Sequence, residues 1–221
     1  MFILRLVACA VGLACASVLL GQISWNTRFK TTAPFVIAYA AATTLLAWAT
    51  AVGPTGPVCV SFAVSLAIGS LVEYAVHRWL LHWPWPRGRH EQLVYDLHEN
   101  HHDDPRDRSI QPVSLAVSVP VYGLATFFAL EGAGAVGAAM MAGLIAFYGY
   151  YEWVHHATHN LPARTPWLRQ QQRLHRLHHF RDARVNYGVT NPLWDLVFGT
   201  YCDPRPSAAD RRRESPARAG G

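Results

Sequence analysis

A chain of 221 residues, 51% hydrophobic and 15% charged, has room for one domain, or for one membrane bundle with an appended lobe. Its formal charge of +5 comes almost wholly from arginine, with Lys30 the one lysine, and no recognition motif accompanies it, so we expect no nucleic-acid partner. Cys9, Cys15, Cys59 and Cys202 form no CxxC pair, which excludes a disulfide framework or a zinc ribbon.

Residues 1–21 are apolar, and a signal peptide and a first span both fit them. The run continues past "ACAS" to Leu20 without a polar cleavage region, which favours an uncleaved span or a membrane-lying helix. No charged residue stands between Lys30 and Glu73, between Arg108 and Glu131, or between Glu131 and Glu152. A helix needs ~20 mostly apolar residues to cross a bilayer. We therefore expect spans at about 33–52, 58–76, 112–130 and 135–151. The helix breakers "GPTGP" at 53–57 and the short "EGAG" at 131–134 make two hairpins of them.

Beyond Leu161 the chain is polar and basic, except for the apolar island "NPLWDLVFGTY". Residues 203–221, rich in Pro, Arg and Ala, read as a disordered tail. Both hairpin tips then lie on one side of the membrane, and nearly all arginines on the other, which the positive-inside bias makes cytoplasmic. All twelve histidines fall on that same side.

The histidines come in spaced sets. They are "HRWLLH" from His77 to His82, "HENHH" from His98, "HHATH" from His155 and "HRLHH" from His175. On a helix, positions i, i+3 and i+4 share a face, so His98, His101 and His102 point one way, as do His175, His178 and His179, and His155 and His159. His156 is set off by ~100°, and His90 belongs to no set. Neutral imidazole is a common metal ligand. Ten such ligands are too many for one tetrahedral zinc; they suit two metals with five nitrogens each, or two six-coordinate metals completed by water. Iron, copper and zinc all accept imidazole. Open positions in a membrane-embedded cage point to dioxygen chemistry on iron. A bis-histidine haem would leave the doublets unexplained. Adjacent histidines diverge on a helix, so the doublet His178–His179 is expected to reach both metals.

HxxxxH, HxxHH, HxxxH and HxxHH, in this order around two membrane hairpins, resemble the fatty acid hydroxylase/sterol desaturase superfamily of membrane di-metal oxygenases. "EYAVHRWLLH" and "HENHHDDPRD" are most similar to its fatty-acid 2-hydroxylases. "YEWVHHATH" is similar to that group's Tyr-Asp-x-x-His-x-x-x-His, with Glu152 where Asp is expected. "HHFRDARVNYGVTNPLWDLVFGTY" is similar to the superfamily's C-terminal motif.

The resemblance implies an all-α integral membrane protein, with two transmembrane hairpins and a possible extra N-terminal span. A cytosolic helical cap would hold a di-metal site, all within a catalytic domain over 33–201. Its ligand positions fall on His77, His82, His98, His101, His102, His155, His159, His175, His178 and His179. It implies two iron ions (zinc being able to replace them in purified protein), O2, and hydroxylation of a fatty acyl or sphingolipid chain. A sterol, hopanoid or carotenoid hydroxylase or desaturase is the nearest alternative. A non-catalytic histidine-rich metal-binding membrane protein is an alternative of another class.

The cytochrome b5-like domain of many 2-hydroxylases has no counterpart in this sequence. A separate donor, ferredoxin- or cytochrome b5-like with its reductase, is therefore the expected electron source. The expected location is a bacterial inner membrane, with the metals on the cytoplasmic face. Ligand imidazoles usually pass their second N–H to a carboxylate or carbonyl; Glu73, Glu152, Asp107, Asp182 and His156 are the candidates for that supporting role. Asp96, Asp103 and Asp195 are further candidates.

Overall fold

A computed structural model describes residues 27–84 and 88–203, with a few isolated positions before residue 14. The readings made for residues 1–21, for most of the 203–221 tail and for the His90 side chain lie outside the described residues. Every described element is helical. Three helices are long and apolar enough to cross a membrane: α1 (Thr27–Val52), α2 (Thr55–Val76) and α5 (Leu115–Asn160).

The 46 residues of α5 are two arms rather than one rod, because Gly134 leaves helical geometry at φ 53, ψ −126. Glycine meets little steric resistance at positive φ, and the chain reverses there. The Tyr122 and Tyr148 rings, 26 positions apart, have centroids 5.0 Å from each other, and Glu152 accepts from the Val113 N–H at 3.0 Å. A straight helix would hold either pair tens of ångströms apart. The expected break over 131–134 is thus concentrated in one residue, and the second arm runs on past 151 to Asn160. Likewise the "GPTGP" break narrows to Gly53–Pro54, since Pro57 sits in the first turn of α2, where its missing N–H costs nothing.

Both α1 and α2 pack on α5. Alanines take a large part in these contacts, Ala38 and Ala42 with Met141 and Ile145, and Ala49 and Val58 with Ala138 and Ala139. Small side chains let helix backbones approach closely where lipid supplies no hydrophobic drive between helices. The two reversals are neighbours: a Cβ on Gly53 would fall 2.5 Å from that of Ala135. The histidine-bearing ends therefore share the opposite end of the bundle.

A cap closes that end. A π-helical turn at His77–Leu81 continues α2, followed by α3 (Arg89–Val94), a second π-helical turn at Tyr95–Glu99, α4 (Asn100–Asp103), α6 (Pro166–Phe180) and α7 (Leu193–Phe198). The start of α6 is set by Thr165, whose side chain accepts from Leu168 N at 3.1 Å, with Pro166 at the first helical position; both are favoured helix starts. One face of α6, Leu168, Gln171, Leu174, His175 and His178, is buried. Its glutamines satisfy loop carbonyls, Gln171 at Val189 O (2.7 Å) and Gln172 at Leu161 O (2.7 Å).

Candidate metal centre

Ten imidazoles converge in two groups of five: His77, His82, His98, His102 and His178; and His101, His155, His159, His175 and His179. Within each group the candidate ligand atoms all lie within 4.8 Å of one another. The groups share a wall, where the His102 and His179 rings stack at 4.1 Å between centroids.

The division follows from helix geometry. Each HxxHH set sends its i and i+4 residues to one group and its i+3 residue to the other: His98 and His102 part from His101, and His175 and His179 from His178. This modifies the expectation that each set points one way, and it places the two members of each doublet in different groups. The HxxxxH spacing needs another device, because five residues of α-helix rotate a side chain by about 140° from its start. The π-helical turn, closed by His82 N–H to His77 O at 3.1 Å, winds the backbone more loosely and brings His77 Nε2 within 3.2 Å of His82 Nε2. Single π turns of this kind gather at functional sites.

The nitrogens are spaced as ligands of a shared ion would be. Nε2–Nε2 separations in the first group are 3.1 Å for His77–His98, 3.1 Å for His82–His98, 3.0 Å for His98–His102 and 3.1 Å for His82–His178. In the second they are 3.0 Å for His101–His155, 3.1 Å for His101–His159, 2.8 Å for His159–His175 and 3.1 Å for His175–His179. Two nitrogens about 2.1 Å from one ion and roughly at right angles stand about 3 Å apart.

In the first group two outer nitrogens set their tautomers. Nδ1 of His77 donates to Tyr187 O at 2.5 Å and Nδ1 of His178 to Val185 O at 2.8 Å. Each Nε2 is thereby left a bare lone pair aimed at its neighbours. Lone pairs gathered this closely repel one another unless a cation lies among them, so the donor set fits a metal. Burial and the neighbouring imidazoles also keep the cap histidines neutral. His101 is lowered by burial to about 4, and His102 by burial and then His82 to about 2. His98, His175 and His178 are held well below the ordinary value by burial first, as is His179.

The expected supporting groups mostly act elsewhere. Glu152 holds the Val113 N–H. Asp107 holds Ser109 N at 2.8 Å, and Asp182 pairs with Arg184 at 2.9 Å. Asp96 takes the Gln92 amide, and Asp103 the Tyr95 hydroxyl. His156 contacts Asn160 and joins neither group. Glu73 touches no imidazole; it binds Val189 N, Thr190 N and the Thr190 hydroxyl, and Asp195 binds Tyr187 N and Gly188 N, both at 2.8 Å. The two carboxylates pin the loop whose Tyr187 carbonyl orients His77.

Glu99 brings a carboxylate to a clustered imidazole, 3.2 Å from Nδ1 of His82. Sequence reasoning passed over it, although it lies inside "HENHH". Asn186, at φ 56, turns the same loop and pairs with the Cys202 backbone at 2.8 Å in both directions.

Beside the first group lies a cavity of about 360 Å³, walled by Gly69, Val72, Val76, His77, Leu80, Val121, Phe147 and Tyr151 among others. Several of these apolar wall residues, Val72, Val76, Leu80 and Val121, are exposed, so the cavity is open along α2 and the first arm of α5.

The chain is 33% identical over 156 residues to the ceramide very long chain fatty acid hydroxylase SCS7 of Saccharomyces cerevisiae, covering 66% of this chain and 39% of that one. It is 32% identical over 139 residues to the dihydroceramide fatty acyl 2-hydroxylase FAH2 of Arabidopsis thaliana, covering 59% and 56%. Human fatty acid 2-hydroxylase is 28% identical over 151 residues, covering 66% and 40%. This chain thus spans between about two fifths and just over half the length of these relatives. A solved structure of full-length Scs7p, in which only the hydroxylase domain is visible, superposes with a TM-score of 0.70 at 25% identity, covering 77% of this chain and 66% of that one. The family model "Fatty acid hydroxylase" matches residues 62–200, which contain all ten clustered histidines, and the chain belongs to the fatty acid hydroxylase family.

Proposed function

We propose that this membrane protein is a lipid hydroxylase, in which the two imidazole groups hold two iron ions and the open cavity receives a fatty acyl chain of a free fatty acid or ceramide. The observation that carries the reading is the pairing of two five-nitrogen groups with an apolar cavity that has His77 in its wall. The overall change is R–H + O2 + 2 electrons + 2 protons → R–OH + H2O. Bound iron would supply the activation of O2 and the attack on an unactivated C–H bond, chemistry beyond any side chain here.

The chain's own residues do the rest. Tyr187 O and Val185 O hold His77 and His178 with Nε2 inward, and Glu99 steadies His82. The cavity walls exclude water and aim an acyl chain toward His77. Its opening at Val72 and Val121 admits a lipid directly from the bilayer. The arginine-rich segments at the histidine end support a cytoplasmic position for it, and a separate electron-transfer protein would deliver the two electrons there.

Lipid mass spectrometry of cells with and without the protein, and with His178→Ala, tests the reading. We expect lipids heavier by one oxygen atom with the intact protein and none with the variant. A hydroxylated product that survives His178→Ala overturns the assignment. Tight metal binding without any O2 or reductant consumption would instead identify a metal-binding protein.

A further inference from the structure

The apolar island near the C-terminal end forms α7, and most of its large side chains are exposed: Leu193, Leu196, Val197 and Phe198 by 52, 60, 60 and 40%. Its one charge, Asp195, is turned inward. A run of exposed apolar side chains on so short a helix marks an interaction surface. Its position on the bundle says what it meets.

The helix lies against α2. Trp194 Nε1 donates to Ser70 Oγ at 3.0 Å, and the Phe198 ring stacks on Tyr74 with centroids 5.1 Å apart. Ser70 stands 15 positions beyond Thr55, the first residue of α2, or about 22 Å along its axis. With Thr55 at one edge of a hydrocarbon core about 30 Å thick, Ser70 falls within it. On the same strip of α2, one and two turns nearer the reversal, Ala63 and Ala67 are exposed, on the outside of a helix long and apolar enough to span. Positions 63, 67, 70 and 74 line up on one face. The outer face of α7 therefore continues the lipid-facing surface of α2.

Backbone at membrane depth must satisfy its polar groups within the protein, and several of those in and around α7 are bonded. Leu196 N bonds to Pro192 O, and Thr200 N and Tyr201 N bond to Asp195 O. Gly199, at φ 70, closes the helix, and the Asp195 carboxylate takes Tyr187 N, Gly188 N and the Thr200 hydroxyl.

We propose that α7 is immersed in the acyl layer of the bilayer, with lipid chains as the partner of Leu193, Leu196, Val197 and Phe198. It anchors the loop whose Tyr187 carbonyl orients His77, because Asp195 ties that loop to α7 from within. The immersion stands whether or not the protein hydroxylates lipid.

The test is accessibility of a nitroxide label in lipid nanodiscs, using Leu196→Cys and Val197→Cys in a background with Cys9, Cys15, Cys59 and Cys202 changed to serine. Val64→Cys on α2 is the lipid control and Phe180→Cys on α6 the water control. Labels at 196 and 197 are expected to relax several-fold more with dissolved O2 than with a water-soluble nickel chelate, as at 64. A nickel-dominated response like that at 180 overturns the proposal. So do labels shielded from both reagents, or dipolar broadening between labels, which would mean that a second copy covers the face. If the cysteine-free background does not fold, a photocrosslinking residue at 197 in the otherwise unaltered chain decides the matter: phospholipid adducts support immersion, and protein dimers or a lack of lipid adducts overturn it.

Discussion

Glu73 Oε2 accepts a 2.5 Å hydrogen bond from the Thr190 hydroxyl, joining residues 117 positions apart. Oε1 takes Val189 N and Thr190 N at 2.6 and 2.9 Å. One helical turn past Glu73 stands His77, whose Nδ1 donates to Tyr187 O in the same loop. The carboxylate thus supports the imidazole without touching it.

Removing it should therefore show in metal content. Glu73→Ala leaves three donors without their acceptor, each costing about 1–3 kcal/mol if it stays buried. We expect a lower melting temperature in detergent and loss of metal, with Glu73→Gln intermediate because its amide oxygen still accepts from both backbone N–H groups. Wild-type melting and metal content in Glu73→Ala would show that the loop is held by other means.

Glu99 is the carboxylate at the outer nitrogen of His82. Loss of such a partner typically costs 10–100-fold in metal affinity or activity. Glu99→Gln should fall in that range when metal release to a competing chelator is titrated, while its helix content by circular dichroism stays unchanged. An affinity equal to that of the parent would make the contact incidental.

Acid should destabilise the metal-free protein in a defined window. Burial lowers His101 from 6.5 to about 4 and, with His82, lowers His102 to about 2. Because the folded values lie below the unfolded ones, protons favour the opened chain. The contribution of His101 is complete above pH 6.5 and lost as the pH falls through about 4. Melting of stripped protein should be level above neutrality and decline below pH 6.5, and bound metal should move the decline to lower pH. A melting temperature independent of pH from 7 to 4 would contradict the buried neutral imidazoles.

Gly143 lets the second arm of α5 press on α2: a Cβ there would collide with Ser65 Oγ and lie 2.7 Å from Phe62 O. The obstacle is partly backbone and cannot swing aside. Overpacking of this kind costs about 1–3 kcal/mol, so Gly143→Ala should melt earlier. The histidine cap is at the far end of the arm, so folded variant should keep the parent's metal stoichiometry. An unchanged melting temperature would mean that the helices separate more easily than their packing indicates.

Much of this was legible in the chain because it is local. The uncharged gaps that predict spans and the i, i+4 pairs His98–His102, His155–His159 and His175–His179 depend on helix rise and twist alone. The "EGAG" turn was legible as a region, though which residue yields, Gly134, depended on the one that reaches positive φ. The HxxxxH pair was legible as a motif but not as geometry, since its convergence needs a π-helical turn that no residue type announces.

The sequence by itself determined an all-helical chain with membrane-length segments and ten histidines on a shared side, because apolar length and helical periodicity are properties of neighbouring residues. Only the tertiary structure decided how those histidines divide into two fives, that Tyr187 O and Val185 O rather than the expected carboxylates orient His77 and His178, and that α7 lies along α2. Those outcomes rest on contacts between distant segments, several of them made by backbone carbonyls. Every residue carries that group, so no side-chain pattern reveals which one will be used.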